Sequence, residues 1–322
     1  MSKVKELQRR LPYFKSFPEL GLLVTLIATV ILFALLNPYF ATLQSLKVLL
    51  VTLVYTGVVL IGEALLMISG EIDLSVGAVA SLGSISTGLM LSRWKLPLAV
   101  AVFLGICLGA FFGFVNGYIT VKIGIPSFIT TLSMMFLARG LSYVLSGGDP
   151  VYPLPDGSGA LSRTTILGLP SSVWIFLLLF LIADQFLRRS VFGRKIYLIG
   201  GNKVAARLSG VNVNGAKIKL FILSGSLSSF AGILLMSKLQ RADAVTGLGW
   251  ELVVIASAAV GGIKLTGGGG SLTGAFLGLV FLQVVLQGLI VLGVDQRLLD
   301  AVTGVVMIAA VWLAFRKSSK TH

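Results

Sequence analysis

The sequence predicts an all-α integral membrane protein of about ten transmembrane helices, some of them broken, and three observations carry that prediction. Apolar runs of about 17 to 25 residues recur along the whole chain, the length a helix needs to cross roughly 30 Å of hydrocarbon. Of the 322 residues, 56% are hydrophobic and only 12% charged, with a mean hydropathy of +0.98, and a water-soluble domain of this size could not hide so much apolar surface. The Lys and Arg residues fall mainly in short flanks between the apolar runs, which makes the net charge of +14 an orientation signal rather than a nucleic-acid surface.

The first span follows the basic residues Lys3, Lys5, Arg9, Arg10 and Lys15. Its apolar stretch ends in Asn37-Pro38 with no small-x-small site, so 20–36 reads as an uncleaved span. Segmentation at Pro, Gly and charge clusters places the others at 46–69, 74–91, 97–121, 126–145, 171–187, 218–237, 251–263, 271–292 and 298–315. A single membrane domain, 20–315, then lies between a 1–19 N-terminal segment and a 316–322 tail. With the N-terminus inside, the inner flanks add Lys122, eight basic residues between Arg188 and Lys219, Lys264, Arg316, Lys317 and Lys320, which makes 18 of the 26. The outer flanks hold Lys47, Arg93, Lys95, Arg163, Lys238, Arg241 and Arg297, so both termini are expected in the cytoplasm.

Five spans in each half raise an inverted repeat of five plus five, because the sixth span starts on the side opposite to the first. Spans 3 and 8 would correspond, both following acidic, glycine-bearing segments: Gly70-Glu71-Ile72-Asp73-Leu74-Ser75 and Gly247-Leu248-Gly249-Trp250-Glu251. Spans 4 and 9 would pair Asn116-Gly117 with Gln287-Gly288.

Two connections are long. The outer one, 146–170, is rich in Gly, Pro and Asp and reads as a turn-laden surface. The inner one, 188–217, carries more: Asn202 can cap a helix over 203–209, Gly210 can end it, and Ala205-Ala206 would give it a small exposed face. Glycines 261, 262 and 267 to 270 mark a break. They are not a phosphate loop, because Lys264 precedes them and no Gly-Lys-Ser/Thr ending follows, so no ATP site and no cofactor is expected. The only histidine is His322, no metal-spaced ligand set or nucleophile elbow is present, and the chain does not read as an enzyme. Cys107, the single cysteine, is expected to be a packed, inert thiol.

The polar residues in or beside spans carry the candidate chemistry. Glu71 and Asp73 fit either a capped, solvated loop or the lining of a translocation path, with Asp73 and Ser75 able to cap the next helix. Glu63 lies deeper, where an unpaired carboxylate costs roughly 2.5 kcal/mol or more, and must be neutral, paired or facing a cavity. Asn116, Gln283 and Gln287 can bond between helices or touch a substrate. Arg139 can snorkel from the outer end of its span. The substrate-path candidates are Glu63, Asp73, Ser75, Asn116, Glu251 and Gln287.

With Gly70-Glu71-Ile72-Asp73-Leu74-Ser75-Val76-Gly77, the chain resembles the permeases of ribose-type monosaccharide ABC importers, whose usual form is GGIDLSVG. The resemblance runs from about residue 45 to 315 through Asn116-Gly117, Ile125 to Leu132, Arg139-Gly140, Phe192-Gly193-Arg194, Ile199 to Asn202, Ala205 to Val211, Glu251 with Ile255-Ala256, Gly261-Gly262 and Leu265 to Gly268. Glu71 departs from the second glycine, and Glu63 from an uncharged residue. The resemblance implies that 188–217 is a cytoplasmic coupling loop, with Gly193, Arg194, Asn202, Ala205, Ala206, Arg207, Ser209 and Gly210 at the groove of a separate ATPase. It further implies two permease copies, or one with a paralogue, an extracytoplasmic sugar-binding protein, no nucleic acid, and the cytoplasmic membrane of a bacterium or archaeon. An ion-coupled secondary transporter, a passive channel and an ABC permease for an amino acid are the competing expectations.

Overall fold

The computed structural model describes residues 20–295 and, after them, Leu298, Ala301, Gly304 and Val305. The 1–19 segment, the 316–322 tail and nearly all of the expected tenth span lie outside the described residues. The helices are α1 Leu20–Leu36, α2 Leu43–Ile68, α3 Val76–Ser92, α4 Leu98–Tyr118, α5 Ser127–Ser146, α6 Ala160–Arg163, α7 Ser171–Arg189, α8 Val191–Gly201, α9 Lys203–Leu208, α10 Val213–Leu239, α11 Trp250–Val260 and α12 Leu272–Val291. A π-helical turn, Ile119–Ile123, extends α4. The two-residue strands β1 Thr165–Ile166 and β2 Leu169–Pro170 pair antiparallel, with Thr165 opposite Pro170.

Every expected span from 20 to 292 has a helix in its place. Six of them, α2, α4 with its π turn, α5, α7, α10 and α12, are long and apolar enough to cross a membrane, whereas α1, α3 and α11 are apolar but shorter. The boundaries follow local chemistry. Pro97, Pro126 and Pro170 stand immediately before α4, α5 and α7, where a fixed φ and a missing N–H do no harm. Ser190, Asn212 and Ser271 cap α8, α10 and α12 through side-chain oxygens that accept from Gly193, Gly215 and Gly274 N–H.

Helices α2 and α10 pack against each other at the centre, through Leu60, Leu65, Leu66, Leu220 and Phe221. Around this pair, α10 is flanked by α3 and α4, α2 by α11 and α12, and α3–α4 and α11–α12 are themselves neighbours. The pattern exchanges α2, α3 and α4 for α10, α11 and α12, but it does not extend to the flanks, where α1 lies against α12 while α7 lies against α2. Close approach is set by small residues: a Cβ on Gly109 would run into the Gly225 carbonyl and Ser229, and one on Gly113 into the Phe221 carbonyl. Lipid offers no hydrophobic drive between helices, so backbone-to-backbone packing of this kind holds α4 to α10.

Two expectations need correction here. Cys107 is exposed on α4 rather than packed, because it sits on the face opposite the glycine seam. The 146–170 connection is not merely a surface run of turns. Ser158 Oγ donates to Gln240 Oε1 (2.9 Å), Ser162 Oγ to the Leu234 carbonyl (2.7 Å), and Val151 bridges Ala242, so the loop is pinned to the end of α10.

Candidate transport site

Between α2 and α3 the chain makes a seven-residue loop, 69–75, that four helices hold from different sides. Glu63 on α2 accepts from the Asp73 N–H (3.1 Å), and Thr131 on α5 accepts from the Leu74 N–H (3.0 Å). Asn116 on α4 donates to Ser75 Oγ (2.9 Å), and Ser224 on α10 donates to Asp73 Oδ2 (3.3 Å). Within the loop, Asp73 Oδ1 accepts from both the N–H (2.8 Å) and the hydroxyl (2.5 Å) of Ser75. Asp73, not Ser75, therefore supplies the capping oxygen at the start of α3, and the Ser75 side chain makes no cap of its own.

Glu63, Asp73, Ser75 and Asn116 are each no more than 1% exposed. The solvated-loop reading of Asp73 and Glu71 is thus wrong. Their backbone lies inside the helix bundle because Gly70, at φ +80°, turns the chain back after α2. Burial without full pairing is costly, yet Glu63 Oε2 and Asn116 Oδ1 find no hydrogen-bond partner among the described residues. These two acceptors are open to a donor such as a hydroxyl group or water, whereas the Ser75, Thr131 and Ser224 hydroxyls already donate within the protein.

Glu251, at the first turn of α11, is a separate arm of the same region. A Cβ on Gly77 would lie 2.6 Å from Glu251 Oε2 and also against the Gly247 carbonyl, so the starts of α3 and α11 abut through glycine. Arg139 does not simply snorkel. Its guanidinium donates to the carbonyls of Ala244 (2.5 Å) and Thr246 (2.8 Å), fixing the segment ahead of α11. Gln283 is buried on α12, and Gln287, one turn on, is half-buried; neither joins the Asp73 cluster.

Sequence reasoning missed Lys217, which counted only as flank charge. It is 4% exposed on α10, and its ammonium pairs with Glu71 Oε1, which Lys203 also reaches at 3.3 Å. Burial pushes the Glu71 carboxyl up, but Lys217 and Lys203 outweigh it and hold the group below its ordinary value. The signal was present as two coupled oddities, an acid in place of the resemblance's second glycine and a lysine inside the first turns of an apolar helix.

The 188–217 connection forms α8 and α9. Asn202 caps α9 by accepting from the Val204 and Ala205 N–H groups (both 3.0 Å), and Gly210 follows it at φ +79°. Ala206 is buried against Ile199, Val213 and Ala216, which corrects the expected Ala205-Ala206 face. The exposed face is instead Val204, 66% exposed, with Ala205 and Leu208, 85% exposed, spaced one turn apart. Gly193 is buried against the Leu187 carbonyl, Arg194 is exposed, Arg207 Nη2 donates to Asn214 Oδ1 (3.4 Å), and Ser209 Oγ donates to the Ala205 carbonyl (2.9 Å).

Residues 45–311 match the family model described as branched-chain amino acid transport system / permease component. The chain belongs to this family of membrane permeases. It is 34% identical to the L-arabinose transport system permease protein AraH of Escherichia coli K12, over 91% of this chain and 89% of that one. It is 34% identical to the ribose import permease protein RbsC of Bacillus subtilis 168, over 97% of both chains, and 33% identical to the autoinducer 2 import system permease protein LsrC of Klebsiella pneumoniae, over 92% and 86%. No solved structure matches the chain. The permease is a multi-pass membrane protein, and its relatives are transport subunits rather than enzymes.

Proposed function

We infer that this permease is the membrane subunit of an ATP-binding-cassette importer that moves a monosaccharide across the cytoplasmic membrane. The observation that carries the reading is the buried Asp73 cluster, in which acceptors without partners stand among Ser75, Thr131, Ser224 and Asn116 where four helices meet. Hydroxyl-dense solutes suit such a set, and relatives named for L-arabinose and ribose support the sugar class over the amino acid of the family's description.

Two copies would enclose the path, an extracytoplasmic binding protein would deliver the sugar, and separate ATPase subunits would drive the cycle. Both termini and the α8–α9 connection would face the cytoplasm, where Val204, Ala205 and Leu208 fit an apolar groove. A ligand shifts two conformations only by binding them unequally, so ATPase closure has to reach the Asp73 loop through structure.

The test is uptake of labelled ribose and arabinose into proteoliposomes holding the permease with its ATPase and binding protein. Uptake is expected only with ATP and both partners, and uptake by the permease alone overturns the reading. The buried Glu63 favours a second reading, ion-coupled transport. It requires that uptake stop with a protonophore and continue when the ATPase is inactive.

A further inference from the structure

Three separated segments meet at the inner end of α2. Gly70 follows α2, Gly200 and Gly201 end α8 just ahead of α9, and Gly267 and Gly268 lie in the break between α11 and α12. The Gly268 N–H donates to the Ile68 carbonyl (2.8 Å). A Cβ on Gly267 would stand 2.8 Å from Gly70 Cα and 3.0 Å from Gly200 Cα, one on Gly268 would stand 2.6 Å from Gly201 Cα, and one on Gly200 would enter the Ile68 carbonyl. No side chain fits between these backbones, so they cannot slide past one another without disturbing the loop that follows Gly70.

One ion pair spans the junction. Lys203, the first residue of α9, reaches Glu71 Oε1 at 3.3 Å, and Glu71 stands two residues before Asp73. Lys217 holds the same oxygen from α10, deep in the fold, with both side chains under a tenth exposed. The Lys203 side chain is 54% exposed, so this arm of the triad lies at the surface beside the apolar face of α9. The two pairs differ in kind: Lys217–Glu71 is a buried anchor, while Lys203–Glu71 is a screened link that opens readily.

We propose that Lys203 is a positioning residue that couples α9 to the Asp73 loop through Glu71. Resting on the importer reading, this assigns the route by which the docked partner moves the transport site. Displacing α9 draws on Glu71, and Glu71 shares a rigid backbone stretch with Asp73, whose N–H and carboxylate are tied to α2, α10 and Ser75. Glu71 itself stands where the usual form of the resembling motif has glycine.

The test uses the complete transporter in proteoliposomes and reads sugar moved per ATP hydrolysed. Lys203→Met is expected to lower that ratio by up to about fivefold, the ceiling for a half-exposed ion pair, with permease still copurifying with its ATPase. Lys203→Arg keeps the charge and should restore the ratio, whereas Lys203→Glu, facing Glu71, should lower it further. A merely structural role would change yield and leave the ratio alone. Wild-type ratios in both Lys203→Met and Lys203→Glu overturn the route while leaving the importer reading intact. Failure of the unaltered transporter to use ATP for uptake overturns both.

Discussion

Helices α2 and α10 and helices α4, α5 and α7 all pass the same test of length and apolarity, yet they live in different surroundings. Of their most apolar stretches, 72% is buried in the first two and 28% in the other three. Hydropathy does not rank them, because α4 has the highest mean value, 2.6, and α10 only 1.8. Small and polar residues line the contacts of both groups, since α4 turns Gly105, Gly109, Gly113, Asn116 and Gly117 inward; α2 and α10 differ in having neighbours on several sides. Helix α2 carries Gly57, Gly62 and Glu63 inward, and α10 carries Lys217, Ser224, Gly225, Ser228, Ser229 and Gly232. In lipid an apolar side chain gains nothing by leaving the surface, so small and polar residues mark where helices touch, and a helix is central when such contacts surround it.

The sharpest way to break that contrast is to remove the counter-ion of Lys217, the buried lysine of α10. Glu71→Gln leaves the Lys217 ammonium buried without its counter-ion, which should destabilise the permease by about 3–5 kcal/mol. Detergent-solubilised thermal melts followed by size-exclusion chromatography would report it. The same pair sets an acid limit. The folded Glu71 carboxyl binds its proton less readily than the unfolded one. Its contribution is therefore complete above the ordinary carboxylate range and is lost as pH falls through that range towards the lower folded value. Melting temperature should drop across that interval in the wild type and less steeply in Glu71→Gln.

Next comes packing at the α4–α10 seam. Gly225→Val would drive methyl groups into the Gly109 carbonyl, where nothing flexible can yield. Overpacking of this kind should destabilise by about 1–3 kcal/mol. Gly140 on α5 has open space where its Cβ would be, and Gly140→Val should lower the melting temperature far less. Equal losses at the two sites would break the distinction between inner and outer helices.

A smaller effect on stability, with a larger one on function, is expected at α9. Val204→Asp combined with Leu208→Asp alters exposed positions, so the fold should stay within about 0.5 kcal/mol of wild type. Retention of the ATPase on affinity-purified permease should be lost. Unchanged retention would mean that this apolar face docks nothing.

Much of this was legible in the sequence. Turn-forming Pro and Gly, caps such as Asn202 and the 17 to 25 residue apolar runs located the helices from 20 to 292. The cluster of Glu63, Asp73, Ser75 and Asn116 was legible as a set of candidates, because polar groups in apolar runs are expensive and rarely idle. Their convergence was not, since hydrogen bonds across 41 to 151 residues depend on tertiary packing that no local pattern encodes. Lys217 was hidden by its place among flank charges. Ala206 was misjudged because one face of a two-turn helix can be told from the other only when the neighbouring helices α8 and α10 are known.

The outward faces of α4 and α5 give the smallest expected change and the finest test of the comparison. Phe111, Phe114, Phe136 and Leu137 are 44–68% exposed in a single copy. If lipid covers them, Phe136→Leu exchanges one apolar surface for another against hydrocarbon and should move stability by less than about 0.5 kcal/mol. If a second copy covers them, the same change opens a cavity in a packed interface, and the loss rises towards the values seen for buried truncations, about 2 kcal/mol or more. Repeating the melt across a range of permease concentrations separates the two, because only the interface case makes the loss depend on how much partner is present.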